Sequence, residues 1–226
     1  MSESITDDDI HIHELQGGDT MPKGSPELTA SRREEIVNAC EKLYHTMSFK
    51  DITIKDIGTA TSFTRTSIYN YFRTKEEIFL ALMQREYEHW ADEMNRLADE
   101  NETMSADSFA SAAARSLEDH WQLLKLLAMN HYDMEENSRP ERLTEFKAAY
   151  GASLDAVRAC VRKFFPDKDC ERFIFVFFPF LFGVYPYSFA TQKQLDAMRE
   201  AKMEFKMHTT YDIVYSCILQ LLGGSK

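Results

Sequence analysis

Thr53-Ile-Lys-Asp-Ile-Gly-Thr-Ala-Thr-Ser-Phe-Thr-Arg-Thr-Ser-Ile-Tyr-Asn-Tyr-Phe-Arg-Thr-Lys75 contains two short helical patterns that meet at a polar corner, Thr61-Ser62. Apolar residues three or four positions apart lie on one side of a helix. The residues expected to face inward are Ile54 and Ile57 in the first pattern, Ile68 and Phe72 in the second, and Phe63 in the turn. This spacing predicts a helix-turn-helix.

A glycine and two caps support the same interpretation. Gly58 lies where the second helix would cross the first, and a glycine inside a helix costs about 1 kcal/mol relative to alanine, so its position indicates a close approach. Thr53 can cap the first helix together with Asp56, and Thr64 can cap the second. Arg65 then lies on the first turn of the second helix, the part that meets base edges when such a helix enters the major groove of DNA.

The distribution of charge bears on this interpretation, because the chain has a net charge of -11. Residues 1 to 28 carry a net charge of -6, residues 29 to 80 carry +1, and residues 81 to 226 carry -6. Neutralisation of phosphates supplies most non-specific affinity for DNA. We therefore expect weak binding to random DNA, and specific binding through a few well-placed contacts and helix N-termini.

From Arg32 to about Leu82, the chain resembles the DNA-binding domain of TetR/AcrR-type bacterial transcriptional regulators. The residues that carry the resemblance are Ile57, the run Ile68-Tyr69-Asn70-Tyr71-Phe72, Lys75 and the pair Ile78-Phe79. Three positions that are usually glycine in the family are Ser48, Ser62 and Thr66 here, which would strain the turn if their φ angles were positive. Tyr71 stands where the family often has histidine.

The resemblance implies a set of DNA contacts. We expect Lys55, Arg65, Thr66 and Ser67 to contact bases, Thr53, Tyr69, Tyr71 and Lys75 to contact phosphates, and Asn70 to contact either, with Thr64 beside them at the helix start. For Tyr71 the alternative is packing inside the domain.

The whole chain is predicted to be all-α. We expect a disordered acidic tail at 1–29, a three-helix DNA-binding domain at 30–75 whose first helix opens with the capping box Ser31-Arg-Arg-Glu34, and a larger helical domain at 76–226 for ligand binding and dimerisation. A capping box at 74–77 opens a long helix that runs to about residue 100, and a polar loop is expected from Met134 to Pro140. Met21 resembles a natural start for the family, which would make the first twenty residues an extension.

The resemblance also implies partners: a homodimer, a palindromic operator in double-stranded DNA, and repression that a small effector relieves. An aromatic-lined cavity would suit an apolar or flat organic effector, whose identity the sequence leaves open. The residues expected to line it are Tyr87, Trp90, His120, Trp121, Tyr150, Phe177 and Tyr185. The alternative for this aromatic stripe is ordinary core packing.

Residues 173 to 192 carry no formal charge and are long enough to cross a membrane. Pro179, Gly183 and Pro186 interrupt the segment, and Pro179 should kink it. The resemblance to the family implies instead a helix buried on one side against the ligand cavity and on the other against its twin in a dimer, with a plain core helix as the alternative. The last helix, from about Thr209, would complete the dimer contact, and no membrane association is expected.

Other classes of function find little support. The sequence has no glycine-rich phosphate loop, nucleophile elbow or cluster of metal ligands, so we expect no enzyme, no catalytic residue, no metal and no cofactor. His120 and His131 would share a face only on an unbroken helix, and His11 and His13 lie in the tail. Four scattered cysteines predict reduced thiols in the cytoplasm. The remaining alternative is a helical sensor of a small molecule or partner protein that no longer reads DNA.

Overall fold

The computed structural model describes residues 25–129 and 131–223, which form eleven α-helices and no strand. The all-α prediction is therefore confirmed. The helices are α1 (Pro26–Thr46), α2 (Ile54–Thr59), α3 (Arg65–Ile68), α4 (Lys75–Glu100), α5 (Ala106–Asp119), α6 (Trp121–Leu127), α7 (His131–Glu136), α8 (Pro140–Phe164), α9 (Cys170–Ser188), α10 (Gln192–Glu200) and α11 (Thr210–Leu221).

Helix α1 starts earlier than predicted. The side chain of Ser25 accepts a hydrogen bond from the amide of Leu28 at 3.3 Å, and Pro26 occupies the first helical position. Proline suits that position because its missing N–H would have no partner there. The start predicted at Ser31 is wrong, and residues 26–29 are helical. Residues 1–24 of the expected tail, with His11, His13 and Met21, lie outside the described residues.

The first three helices enclose a small apolar core. Ile36 and Cys40 of α1, Ile57 of α2, Ile68 of α3 and Phe72 are all excluded from solvent. Fully burying an aliphatic or aromatic side chain of this kind stabilises a fold by about 1.5 to 3 kcal/mol. Burial raises the pKa of the Cys40 thiol far above its ordinary value, which fits a packed core residue.

Helix α4 connects this domain to the second one, where it packs mainly along α8. The interior between α4, α8 and α9 is rich in aromatic rings: Trp90 lies 5.8 Å from Phe178, and Tyr87 lies 5.3 Å from Tyr150, both measured between ring centroids. Trp90 and Tyr87 are buried. The second domain is therefore filled largely by aromatic packing around one long helix.

The segment between α5 and α8 differs from prediction. His120 has non-helical dihedral angles and separates α5 from α6, so His120 and His131 do not share one continuous helix, and the condition for a shared face is not met. The predicted loop at 134–140 is also wrong over its first half, because α7 runs from His131 to Glu136 and buries Met134.

Helix α9 is, by length and composition, the one described helix that could cross a membrane. It continues through Pro179 and Pro186 and ends at Ser188, four residues before the predicted end. Helices α6, α8 and α11 pack against it. Its outer side leaves large apolar side chains in solvent, with Phe175 77% and Tyr187 67% exposed.

Candidate nucleic-acid interface and ligand cavities

The helix-turn-helix forms as predicted from local rules. A Cβ atom on Gly58 would lie 3.3 Å from the Cα of Arg65, so the close approach of α2 and α3 depends on the missing side chain. The capping box of α2 is complete: the amide of Asp56 donates to Thr53 Oγ1 at 3.2 Å, and the amide of Thr53 donates to Asp56 Oδ2 at 2.9 Å.

The start of α3 is capped differently from the prediction. Thr64 occupies the N-cap position, but its hydroxyl contacts the hydroxyl of Ser67 at 3.1 Å and receives no hydrogen bond from a backbone amide. The expected side-chain cap is therefore wrong. The pairing of the two hydroxyls leaves both close to the first turn of α3.

The three positions that are usually glycine in the TetR/AcrR family carry no backbone strain in this protein. Among the described residues, Lys202 is the one non-glycine residue with a positive φ, so Ser48, Ser62 and Thr66 cost nothing of that kind. Ser62 is held by α1, because its hydroxyl donates to Glu35 Oε2 at 3.0 Å and its amide donates to the other carboxylate oxygen. The role of Glu35 was not predicted from the sequence, because Glu35 lies 27 residues before its partner Ser62.

Most of the predicted DNA contacts lie on α2, α3 or the segments beside them with their side chains in solvent. Arg65 is exposed, and its guanidinium donates a hydrogen bond to the Tyr69 hydroxyl at 3.1 Å and lies 5.8 Å from the Tyr69 ring. Ser67 is half-buried, and the other exposed members are Thr53, Lys55, Thr64, Thr66, Tyr69 and Asn70.

Two predicted phosphate contacts are occupied within the domain. Tyr71 is 6% exposed and its hydroxyl accepts a hydrogen bond from Arg32 at 3.3 Å, so the packing alternative describes its place here. The ammonium of Lys75 donates to the carbonyls of Phe49 at 2.7 Å and Ile52 at 2.9 Å, and lies 4.0 Å from the centroid of the Phe49 ring. Lys75 thus ties the start of α4 to the loop between α1 and α2.

A buried ion pair links the start of α4 to the connection between α7 and α8. Glu77 of α4 is 1% exposed, and its carboxylate accepts hydrogen bonds from Arg139 at 2.7 and 2.9 Å and from the amide of Arg73 at 2.8 Å. Burial alone would raise the pKa of Glu77, but these hydrogen bonds outweigh it and leave the pKa below its ordinary value. Arg139 also donates to the carbonyl of Tyr71 at 3.2 Å. Its guanidinium therefore links the start of α4 to the end of the recognition segment, by which we mean α3 and the residues that follow it up to Phe72.

Further hydrogen bonds reinforce this junction. The hydroxyl of Thr74 donates to the carbonyl of Asn137 at 2.9 Å. The ammonium of Lys125 in α6 donates to the carbonyls of Tyr44 and, at 3.3 Å, Met47, while the Tyr44 hydroxyl donates to the carbonyl of Lys125 at 3.2 Å. Both α6 and the connection between α7 and α8 therefore contact the helix-turn-helix domain.

The seven predicted ligand residues do not line one cavity. Trp90 and Phe177 are fully buried in the core, and Trp121 packs against the ring of His45 at 5.4 Å. The core alternative therefore describes Trp90 and Phe177. Of the remaining four, Tyr87 and Tyr150 line the same cavity, whereas Tyr185 and His120 each line another.

The cavity shared by Tyr87 and Tyr150, here named the α7 cavity, has a volume of about 320 Å³. Its other lining residues are His131, Tyr132, Glu135, Phe146, Lys147 and Phe182. A second cavity of about 410 Å³, the junction cavity, lies between the two domains. It is lined by Tyr44, Ser48, Phe49, Lys50, Lys125, Ala128, Met129, Asp133, Met134 and Tyr185.

His120 lies at a carboxylate pair on α4. Its Nε2 atom is 2.9 Å from Glu93 Oε2, and its Nδ1 atom is 3.9 Å from Glu86 Oε2. Glu86 and, to a lesser extent, Glu93 raise the pKa of His120 against the opposing effect of burial. The raised pKa favours the protonated ring, which forms an ion pair with Glu93. Within the described ranges, no three His, Cys, Asp or Glu side chains are placed to hold a metal ion.

This ion pair predicts a dependence of stability on pH. Because the pKa of His120 is raised in the folded state, its contribution is fully present below the ordinary value of 6.5 and is lost as the pH rises through the folded value. We expect His120→Gln to lower the free energy of unfolding by about 0.5 to 1 kcal/mol at pH 6 and by much less at pH 9. Urea unfolding at both pH values measures this, with His89→Gln on the exposed side of α4 as control. An equal loss at both pH values would contradict the assignment.

Two protein-family descriptions match successive parts of the chain. Residues 36–82 match the family described as bacterial regulatory proteins, tetR family, and residues 84–219 match the tetracyclin repressor-like C-terminal domain. An HTH-type transcriptional repressor from Mycobacterium tuberculosis is 28% identical over 71 residues, which make up 31% of this chain and 38% of that protein. The chain thus aligns with less than half of that relative's length.

Solved structures share the fold at low identity. The fatty acid degradation regulator FadR from Bacillus halodurans superposes with a TM-score of 0.55 at 15% identity, covering 91% of this chain and 99% of that one. FadR from Thermus thermophilus, solved with lauroyl-CoA, has a TM-score of 0.55 at 19% identity, covering 86% of this chain and 95% of the other. Since the two family matches together span most of the chain, the protein belongs to the TetR family of bacterial regulatory proteins.

Proposed function

We propose that this TetR-family regulator is a repressor that binds a palindromic operator as a homodimer and is released by a small apolar or aromatic effector. The observation that carries the proposal is the exposed first turn of α3, held at a defined angle by the contact at Gly58 and by the hydrogen bonds between Glu35 and Ser62. Such a turn can enter a major groove without rearrangement of the domain.

The proposed contacts follow from exposure. Arg65 and Thr66 lie on the first turn of α3 and Lys55 lies on α2, all in solvent, and we assign them, with Ser67, to bases. Thr53 and Tyr69 are assigned to phosphates, and Asn70 to either. Tyr71 and Lys75 are left out of the proposed set, because their polar groups already have partners inside the domain.

The homodimer is proposed from the outer side of α9. Phe175 and Tyr187 are exposed there, and exposed apolar patches of this kind mark interaction surfaces. α11 packs against α9, so a two-fold axis beside this pair would form a four-helix contact. Two α3 helices related by that axis would read half-sites about 34 to 36 Å apart.

The effector is proposed to bind in the α7 cavity. Its volume falls at the lower end of small-molecule sites, and its walls are mostly aromatic. The relative from Thermus thermophilus was solved with lauroyl-CoA. In this chain Trp90, Phe177 and Phe178 fill the centre of the domain, which favours a compact effector over a long acyl chain.

Helix α7 provides a route from this cavity to the DNA-reading helices. Its first residue, His131, lines the cavity, and the segment that follows it supplies the carbonyl of Asn137 to Thr74 and the guanidinium of Arg139 to Glu77. A ligand that shifts α7 would therefore act on the start of α4, directly after the recognition segment.

A cytoplasmic location is proposed from the thiols. Cys40, Cys160, Cys170 and Cys217 are all free, as expected in a reducing compartment. Burial raises the pKa of Cys160 to about 11, which keeps this thiol protonated and unreactive.

A second candidate is a sensor that no longer reads DNA, which the net charge of -11 favours. Fluorescence anisotropy with the protein's own upstream DNA and with shuffled DNA, across a salt series, separates the two. We expect tight binding to the natural fragment only. If each half-site neutralises two or three phosphates, the slope of log K against log salt will be about -3.6 to -5.4 for a dimer. Equally weak binding to both DNAs at every salt concentration would refute the repressor and support the sensor.

A further inference from the structure

The segment between α10 and α11 leaves an apolar, unpaired stretch of chain at the surface. Residues 203–209 have no helix, turn or bend. Within the described part of the chain, no backbone N–H or carbonyl of residues 204–208 forms a hydrogen bond with another backbone group. We infer that residues 203–207, here named the α11 arm, pair with the α11 arm of a second copy of this chain as an antiparallel two-stranded ribbon. This inference rests on the proposed function, because it adds a contact to the homodimer proposed there.

The α11 arm has a large apolar side chain at every second position. Met203, Phe205 and Met207 are 56%, 39% and 41% exposed. In an extended strand, side chains two positions apart lie on the same side, so these three would form an apolar face, with Glu204 and Lys206 on the other side. A single copy of the chain leaves the apolar residues in solvent, and their burial against a second copy would stabilise the pair.

The unpaired backbone favours another strand as the occupant. An exposed row of N–H and carbonyl groups is a template for pairing with a second chain, which proteins commonly block with proline or with an inward-pointing charge. The α11 arm contains no proline, and both of its charged residues alternate with the apolar ones. Its ends are fixed, because Lys202 follows α10 with a φ of 52° and Thr209 caps α11.

The order of residues makes the α11 arm complementary to a second copy of itself. In an antiparallel pair with the two-fold axis at Phe205, Met203 lies opposite the partner's Met207, and Glu204 lies opposite the partner's Lys206. Side chains directly opposite each other have Cβ atoms about 4.5 to 5.5 Å apart, and opposite charges there stabilise the pair. A shift of the register by one residue would place each charge opposite an apolar side chain, and a shift by two would place like charges opposite each other. One register is therefore favoured.

The α11 arm lies beside the side of α9 on which the homodimer is proposed. Phe205 and Lys206 line a groove of about 340 Å³ together with Phe180, Val184 and Tyr187 of α9. Helix α11 begins three residues after the arm. A two-fold axis beside α9 and α11 would therefore bring the two arms together, and the ribbon would continue the proposed helical contact.

Single cysteines test the register of the ribbon by oxidation of the full chain with diamide, followed by a non-reducing gel. Phe205→Cys should form a covalent dimer, because residues at the axis face each other at a Cα separation that a disulfide spans. Met203→Cys alone should not, since the two copies of residue 203 would be four residues apart along the ribbon, or about 14 Å. The same holds for Met207→Cys, but the two variants incubated together should cross-link. The natural protein, with its four free thiols, is the control.

Charge reversal tests the pairing of Glu204 with Lys206. Lys206→Glu places like charges opposite each other twice in the dimer, and we expect it to raise the dissociation constant about tenfold. Adding Glu204→Lys to the same chain restores opposite charges and should recover the natural value. Lys193→Glu, at an exposed position of α10, is the matched control and should leave the dissociation constant unchanged. Sedimentation with fluorescence detection at nanomolar concentrations measures these values.

The outcomes separate the inference from the homodimer. A protein that sediments as a dimer but does not cross-link through Phe205→Cys overturns the inference, keeps the homodimer and leaves the α11 arm to a different partner. Cross-linking of Met203→Cys with itself, or no recovery in the charge-swapped variant, also overturns the inference. A chain that is monomeric at every concentration removes the homodimer together with the ribbon. All of these substitutions are at exposed positions, and circular dichroism at 222 nm shows that each variant is folded.

Discussion

Arg139→Ala is expected to lower the free energy of unfolding by about 3 to 5 kcal/mol, the usual effect of removing one partner of a buried ion pair. The carboxylate of Glu77, a residue 1% exposed in the intact protein, would lose the guanidinium that supplies two of its hydrogen bonds. Urea unfolding at pH 7, followed by circular dichroism at 222 nm, measures the loss.

Two further variants separate the buried charge from a general effect of removing arginine. Arg199 pairs with Asp196 at 2.9 Å but is 74% exposed, so Arg199→Ala should cost less than about 1 kcal/mol. The double variant Glu77→Leu with Arg139→Met removes both charges and should recover most of the loss, since apolar replacement of a whole buried pair is often neutral. Similar losses for Arg139→Ala and Arg199→Ala would contradict the burial argument.

The pH dependence gives a second readout for the same pair. Because the pKa of Glu77 is lowered in the folded protein, its charge contributes stability above its ordinary value of 4.5, and that contribution is lost as the pH falls through the folded value. In Arg139→Ala, burial would act on Glu77 without the opposing guanidinium, and the carboxyl would protonate more readily. The gap in stability between the natural protein and the variant should therefore narrow below pH 4.5.

Arg65→Ala is expected to weaken binding to the protein's own operator by about 1 to 3 kcal/mol, or roughly fivefold to 150-fold. Arg65 lies on the exposed first turn of α3, where a guanidinium can bind a guanine edge through two hydrogen bonds. The affinity of the Arg65→Ala variant for shuffled DNA should differ little from that of the natural protein. Anisotropy titrations with operators altered one base pair at a time should show relaxed specificity at a single position in each half-site.

Lys75→Met is the informative comparison for Arg65→Ala. The ammonium of Lys75 is engaged by the carbonyls of Phe49 and Ile52, so we expect a lower free energy of unfolding and unchanged affinities of the folded variant for both operator and shuffled DNA. A parallel fall in affinity for both DNAs would instead assign Lys75 to a phosphate. If Arg65→Ala also weakened both DNAs equally, Arg65 would be a backbone contact and another residue would read the base.

Local features of the DNA-binding domain could be predicted because they depend on neighbours in sequence. Thr53 and Asp56, which form the capping box, are three positions apart. A glycine inside a helical pattern, such as Gly58, indicates by itself that a second helix, here α3, packs closely against it. The pairs Glu35 with Ser62 and Glu77 with Arg139 span 27 and 62 residues, and no short-range pattern distinguishes them from solvated charges. The early start of α1 was missed because Pro26 reads as a break in a flexible tail, although proline is equally suited to a first helical turn.

For the predicted ligand residues, the sequence could not distinguish core positions from cavity positions. Aromatic residues at helical spacing have the same pattern whether they fill a core, as Trp90 and Phe177 do, or line a cavity, as Tyr87 and Tyr150 do. Whether Tyr87 and Tyr150 fill the core or line a cavity depends on α7, which forms one wall of the α7 cavity. That helix has six residues and is largely polar apart from the buried Met134, so its sequence resembles a loop.

The length of α4 sets an angular tolerance for reading DNA. Its 26 residues span about 39 Å at 1.5 Å per residue. If the end near Glu100 stayed fixed, a tilt of only about 5° would displace the end at Lys75 by about 3.4 Å, which is one base-pair step along a DNA strand. The operator-bound dimer that we propose would therefore have to hold both of these helices to within a few degrees, and a ligand would need to cause only a small rotation to put the two recognition helices out of register with their half-sites.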